Sequence, residues 1–377
     1  MKIWYVRKRL HTKEMPVVKT WLDHGHDVSF YVLNPVKSGH PDYVRQLPVN
    51  RFLGGPFAWL ARITGRSFFK LPPPSPLKLI REIKRHKPDF IGIHKHRLEA
   101  LVVVAAARWC GVAVATNVEN PADEVGRSLP NRVLERIGLL PPVQIGWLRA
   151  RKGTHNILPN KFQHLPPMHH EGCDEVVRAR AQQRRAGRPL RIIAVAKLGS
   201  RRKRLDLAIE AASELVDQDF GVELIIVGSG KNAELESMAA EACRRRGKSY
   251  IEIKSNVPYQ EMKALYASCD VFLLPSRYEP YSISPLEAMA LGLPAIVSDT
   301  NNTKDSIQNG VDGFVFKTDD RESLVACLRQ CLDHPDLIES MGKAAHEKIR
   351  RDHDPDHWHQ QFLEIAAHAQ SLARRDQ

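Results

Sequence analysis

Short apolar runs alternate with amphipathic stretches along most of the chain. In the first half KIWYV is followed by the helical pattern TKEMPVVKTWLDHG and then by HDVSFYVL. Further on, PDFIGIH precedes RLEALVVVAAARWCG and then VAVATNV. The short apolar runs predict buried strands, and the longer stretches predict helices. Strand, helix and strand in succession predict right-handed crossovers and a parallel sheet.

A second series begins near residue 190. LRIIAVAKL, VELIIVGSG, YIEIKSN, DVFLLP, PAIVSD and GFVFK read as strands. LDLAIEAASELV, ELESMAAEACRRRG, YQEMKALYASC and SPLEAMALG read as the helices between them. The arginines ending the second helix, with Gly247 after them, are a stop signal. Both halves therefore predict α/β, open, doubly wound sheets. The expected domains are 1–170 and 189–354, joined by a polar linker over 171–188. In such sheets ligands bind beyond the carboxyl ends of the strands.

Composition adds limits. The chain is 43% hydrophobic and 26% charged, ordinary for a globular protein with a substantial core. No run of about 18 apolar residues is present, so no spanning helix is expected. The start MKIWYVRKRLH has no signal-like apolar region. The six cysteines form no CxxC pair, which fits buried thiols in a reducing cytosol. Charge is uneven. Residues 1–170 hold 27 Lys and Arg against 11 Asp and Glu, a net of +16, and the remainder has a net of −3. The first half thus suits an anionic partner: a lipid surface, an anionic glycan or nucleic acid. No basic helix with a recognised nucleic-acid reading motif accompanies it. Residues 51–85 interleave Phe52, Phe57, Trp59, Phe68 and Phe69 with cations, a mixture that suits a membrane interface or a packed loop.

EPYSISPLEA, residues 279–288, follows the apolar run VFLLP. It places Glu279 before a helix and Glu287 in its first turns. Carboxylates there can accept hydrogen bonds from a vicinal diol, and helix-start amides can face a phosphate. The rival reading has Glu287 stabilising the helix start and Glu279 solvated. HDPDHWH has metal-like spacing, but Pro355 reads as a helix start. DQD at 217–219 reads as a turn.

RYEPYSISPLEAMALGLPAIVSD resembles the nucleotide-sugar signature of GT-B glycosyltransferases, in particular retaining family four. VAKLGSRRKRLDLAIEAA, LIIVGSGKNAEL and VDGFVFKTDDRESL resemble that family's flanking elements. The resemblance implies a GT-B fold, two Rossmann-like domains facing each other across a cleft, with the helix at 355–373 packing back on the first. It implies a metal-independent, hexosyltransferase-like enzyme without a cofactor. A sugar would pass from a UDP- or GDP-sugar to an acceptor hydroxyl, with retention. Glu287 would bind the ribose and Glu279 the donor sugar. Tyr281, Ser282 and Ile283 would offer amides near the sugar and diphosphate. Lys203 and Lys197 would meet the diphosphate, with Gly228 in the donor site and His94 at the cleft edge.

The chain departs from the family pattern in several places. RKRLH replaces a glycine-rich loop, making Arg7, Lys8, Arg9 and His11, with His96, acceptor-site candidates. Asn301 and Asn302 stand where the family often has two glycines, Ser282 where it often has one, and Lys161 replaces a glycine after Asn160. TNVEN lacks a histidine that many relatives carry. The expected acceptor is an anionic or lipid-linked glycan of cell-surface polysaccharide or lipopolysaccharide synthesis. The expected location is cytoplasmic, with a peripheral position on the inner membrane face as an extension. A non-catalytic nucleotide-sugar-binding protein, an epimerase and a phosphorylase remain alternatives on the same fold.

Overall fold

The computed structural model describes residues 1–7, 15–32, 49–51, 75–94, 98–118, 143–146, 161–163, 173–183, 188–279 and 282–375. They divide into two compact units. One is Met1–Pro167 with Pro355–Gln377, the other Met168–Asp354.

The first unit is built on strands β1 (Lys2–Arg7), β2 (Asp27–Val32), β3 (Val49–Arg51), β4 (Phe90–His94), β5 (Ala113–Val118), β6 (Val143–Gly146) and β7 (Lys161–Gln163). All pair in parallel, in the order β3-β2-β1-β4-β5-β6-β7. Successive side chains of a strand face opposite ways. Trp4 and Val6 accordingly join Leu79 and Ile83 of α2 (Pro76–His86) and Val103, Val104 and Ala107 of α3 (Leu98–Trp109). Tyr5 points to the other face, where its ring lies 5.5 Å from Trp21 of α1 (Met15–Asp23).

That second face is closed by the last helix, α11 (Pro355–Arg375). Its buried residues Trp358, Phe362, Ile365, Ala366, Ala369 and Ala373 recur at helical spacing. Phe362 meets Phe90 at 5.3 Å and Trp21 at 5.2 Å. Each large side chain buried there contributes roughly 1.5–3 kcal/mol. HDPDHWH therefore opens a helix. His359 stacks on His24 at 3.7 Å, and its Nε2 lies 2.7 Å from His26 Nε2. Burial, aided by neighbouring positive charge, pushes His26 down to about 4.

The second unit has β8 (Leu190–Val195), β9 (Val222–Gly228), β10 (Ile251–Ser255), β11 (Val271–Leu274), β12 (Ala295–Ser298) and β13 (Gly313–Phe316). They are parallel, in the order β10-β9-β8-β11-β12-β13. One core cluster gathers α5 (Leu205–Asp217), α6 (Ala233–Arg246), α9 (Arg321–Asp333) and the start of α10 (Pro335–Asp352) against the sheet. α7 (Tyr259–Ala267) and α8 (Ser284–Ala290) complete the layer arrangement, Tyr266 meeting Phe272 of β11 at 6.2 Å. Capping follows the sequence. Asn232 and Asp320 accept hydrogen bonds from Leu235 N and Ser323 N, and Gly247 ends α6 at φ +60°. DQD spans the end of α5 and a residue, Asp219, at φ +63°.

Residues 171–188, expected as a linker, contain the helix α4 (Cys173–Gln183). His346 of α10 ties it down. Its Nε2 lies 2.7 Å from Asp174 Oδ1 and its Nδ1 2.6 Å from Ala290 O. The hydrogen bond from His346 holds Asp174 below the usual carboxylate range. A helical part of this segment is compatible with its sequence, while its docking rests on a residue from the far end of the unit. No helix among the described residues is long and apolar enough to cross a membrane.

Candidate functional site

Along the second sheet the chain steps from β8 outward to β9 and β10, then returns to β11 on the other side of β8. The crevice between the carboxyl ends of β8 and β11 is thus a topological switch point, where ligands of open α/β sheets bind. Lys203 enters it on a 3-10 turn, Arg201–Lys203, that follows β8. Glu279 enters it from the loop after β11. Lys203 Nζ donates to Glu279 Oε2, and the same oxygen lies 3.3 Å from Arg202 Nη1. The two partners are 13% and 12% exposed, so the pair is shielded from most of the solvent.

Glu279 is also held by its backbone. It forms a parallel bridge with Asn301, and its carbonyl accepts from Asn302 N at 3.0 Å. Asn301 is buried and caps the next turn through Thr303 N, 3.0 Å away. The asparagine pair that replaces two glycines is therefore structural support for Glu279. Thr303 Oγ1 in turn accepts the Ser282 amide at 2.9 Å. That amide, expected beside the donor, is engaged within the protein. Ile283 is buried, and its carbonyl receives Glu287 N at 2.9 Å. The helix that follows, α8, is only seven residues long.

Glu287 is gripped by two phenols of α7. Tyr266 donates to Oε2 at 3.1 Å and Tyr259 to Oε1 at 3.3 Å. Burial raises the carboxyl pKa, and both hydrogen bonds oppose that rise. Burial and the facing carboxylate also push the Tyr266 phenol well up. Glu287 does not pair with the Lys203–Glu279 group, so the two glutamates sit in different electrostatic settings. One faces cations, the other neutral hydroxyls.

Gly228 ends β9, where a Cβ would lie 1.8 Å from Ala196 O. Glycine is required there by the close approach of two backbones. Lys197 is exposed, and no partner for its ammonium is found among the described residues. In the first unit, Arg7 and His94 end the adjacent strands β1 and β4 at that sheet's own switch point. Only their backbones are described. Lys8, Arg9, His11, His96, Glu119, Asn160 and Tyr281, with the aromatic segment 52–74, lie outside the described residues.

Tyr259, Tyr266, Asn301 and Thr303 were not foreseen as site residues. Tyr259 and Tyr266 carry a readable signal, because positions seven apart share a helix face. Thr303 carries none, since the Ser282 amide it holds lies 21 residues away, and Asn301 stands out only as a departure from the family pattern.

Residues 177–348 match the family model described as glycosyl transferases group 1. The glycogen synthase of Pseudomonas syringae pv. syringae (strain B728a) is 33% identical over 165 residues, which cover 42% of this chain and 31% of that protein. The glycogen synthase of Xanthomonas campestris pv. campestris (strain 8004) is 30% identical over 148 residues, 38% of this chain and 30% of that protein. The matched segment thus spans about a third of these curated relatives. Among solved structures, Anabaena HepE in complex with UDP aligns with a TM-score of 0.73 at 16% identity, covering 97% of this chain and 100% of that one. The lipopolysaccharide outer core galactosyltransferase WaaB aligns at 0.64 and 15% identity, covering 94% of this chain and 96% of that one. These likenesses give the chain the GT-B fold.

Proposed function

We propose that this GT-B protein, matched over residues 177–348 by glycosyl transferases group 1, transfers a sugar from a nucleotide-diphosphate sugar to an acceptor hydroxyl. The observation that carries the reading is the Lys203–Glu279 pair with Glu287 beyond it, at the switch point of the second sheet.

Glu287 is the group for the ribose diol: an ionised carboxylate accepts hydrogen bonds from two vicinal hydroxyls. Glu279 takes the hydroxyls of the donor sugar. Lys203, with Lys197 at the exposed rim, faces the diphosphate. Charge grows on that leaving group as the glycosidic bond breaks, and a fixed cation stabilises the transition state more than the ground state. The resemblance of RYEPYSISPLEAMALGLPAIVSD to the retaining family is what supports a metal-free reaction with retention at the anomeric carbon. UDP is the first nucleotide to test, since it is bound in the structure of Anabaena HepE.

The first unit receives the acceptor. Its charge favours an anionic glycan or a lipid-linked one at an anionic membrane. The curated relatives, glycogen synthases, direct attention instead to a storage glucan. Their match covers 42% and 38% of this chain, and the family model covers residues 177–348, within the second unit.

A thermal-shift and hydrolysis screen across UDP-, ADP- and GDP-sugars tests the reading. A bound donor raises the melting temperature by a logarithmic mass-action term. Stabilisation and slow hydrolysis by one nucleotide class support a transferase. Stabilisation without turnover in the presence of glycan acceptors supports the binding-only alternative. No stabilisation by any of them rejects the donor site. Activity that disappears with chelator rejects the metal-free mechanism.

A further inference from the structure

Two residues with side chains, Arg204 at φ +51° and Asp319 at φ +62°, adopt the left-handed conformation that a Cβ disfavours. They belong to loops after β8 and β13, which are separated in the sheet by β11 and β12. Yet they touch: Asp319 Oδ1 is paired with Arg204 Nη1. The other carboxylate oxygen accepts Arg277 Nε at 2.6 Å, from the loop after β11. Arg277 N then donates to Arg202 O at 2.8 Å. Arg202 Nη1 donates to Tyr278 O and lies beside Glu279.

The loop after β12 joins the same lacing. Thr300 Oγ1 donates to Arg277 O at 2.6 Å and lies 2.6 Å from Thr318 Oγ1. Thr318 donates to Asp299 Oδ1 from its backbone N at 3.0 Å and from its hydroxyl at 2.5 Å. Four loops at the carboxyl edge are thereby fixed to one another, and one carboxylate binds two of them directly. Aspartate enters the left-handed region more readily than most side chains do, as the exposed Asp219 at φ +63° also shows, but at residue 319 the carboxylate has two partners. The conformation aims both oxygens inward at two guanidinium groups.

We infer that Asp319 is a positioning residue, which holds the Lys203 turn against the Glu279 loop. Its consequence for turnover rests on the donor-site reading above. Its consequence for loop order does not.

Asp319→Gly is the discriminating variant, because glycine enters φ +62° freely and backbone strain cannot explain a loss. Asp319→Asn is its partner, keeping shape and removing charge. Two measurements are made on the full chain. In hydrogen exchange, the amides of Lys203, Arg204 and Arg277 should exchange about tenfold faster or more in both variants, with α6 unchanged. In donor hydrolysis with UDP-, ADP- and GDP-glucose, kcat should fall about tenfold or more while KM changes little. Unchanged exchange at those three amides overturns the inference. So does acceleration spread across the whole unit with a fall in melting temperature, which is a general structural role. If the wild-type protein neither binds nor hydrolyses any donor, the donor-site reading fails, and the exchange measurement still decides on Asp319.

Discussion

Lys203 and Glu279, 76 residues apart in sequence, meet as an ion pair in the crevice between β8 and β11. With both groups mostly shielded, neither is free to change partners at no cost. On the proposed donor-site reading, a diphosphate arriving there would compete with Glu279 for the ammonium, and sugar hydroxyls would compensate Glu279.

Lys203→Ala should therefore lower turnover by about 10²-fold, the usual cost of removing one stabiliser of developing negative charge. Lys197→Ala should cost less, because its ammonium is exposed. Steady-state kinetics on the double variant decide the matter: wild-type turnover sinks both assignments.

Glu287→Ala should weaken nucleotide binding by about 1.5–3 kcal/mol, the worth of charge-assisted hydrogen bonds to a diol. Calorimetry with UDP and 2′-deoxy-UDP reads this. The wild type should prefer the ribonucleotide and the variant should not. Equal affinities in wild type and variant reject the ribose role.

The raised pKa of Glu287 gives a pH signature of definite sign. On the proposed reading the ionised form of Glu287 accepts the diol, so donor affinity should fall as pH drops through a value above the ordinary 4.5. Stability runs the other way. A carboxyl raised by burial contributes stability below its unfolded pKa and loses it as pH rises through the folded one. Glu287→Gln removes the buried charge and should raise the melting temperature at neutral pH while weakening donor binding. A lower melting temperature together with retained affinity contradicts this.

His346→Ala removes the side-chain partner of Ala290 O and leaves Asp174 only Arg350, and it should cost about 1–3 kcal/mol in denaturant unfolding of the second unit. Donor affinity in the surviving folded protein should stay at the wild-type value. A variant as stable as wild type contradicts the assigned tie.

The proposed anionic partner would meet a cationic surface of which the outer face of α2 is a described part. Lys78, Arg81, Lys84 and Arg85 are exposed there, while Leu79 and Ile83 face the core. Replacing these four cations with Glu should abolish sedimentation with anionic vesicles and leave nucleotide affinity intact. Wild-type binding should weaken as salt rises. Equal recovery in the supernatant with neutral and anionic vesicles removes the membrane reading and leaves a soluble anionic acceptor.

The two parallel sheets, and the position of the candidate site beside β11, were legible in the local pattern of the chain. Buried strands must be apolar along their length and crossover helices amphipathic, so period and order are written locally. Glu279 and Glu287 are legible for the same reason, as both lie in one continuous motif beside one strand. The helix stop at Gly247 was equally local. Only tertiary structure decided what each carboxylate meets. Lys203 reaches Glu279 because β8 pairs with β11, and Tyr266 reaches Glu287 because α7 packs near α8. It likewise fixed α4 through His346 and turned Asn301 into a buried support. Ion pairs and hydrogen bonds act over a few ångströms, whereas their partners here lie tens to more than a hundred residues apart. Such contacts leave no periodic trace in the chain, and they exist only once the sheet order has brought its loops to one edge.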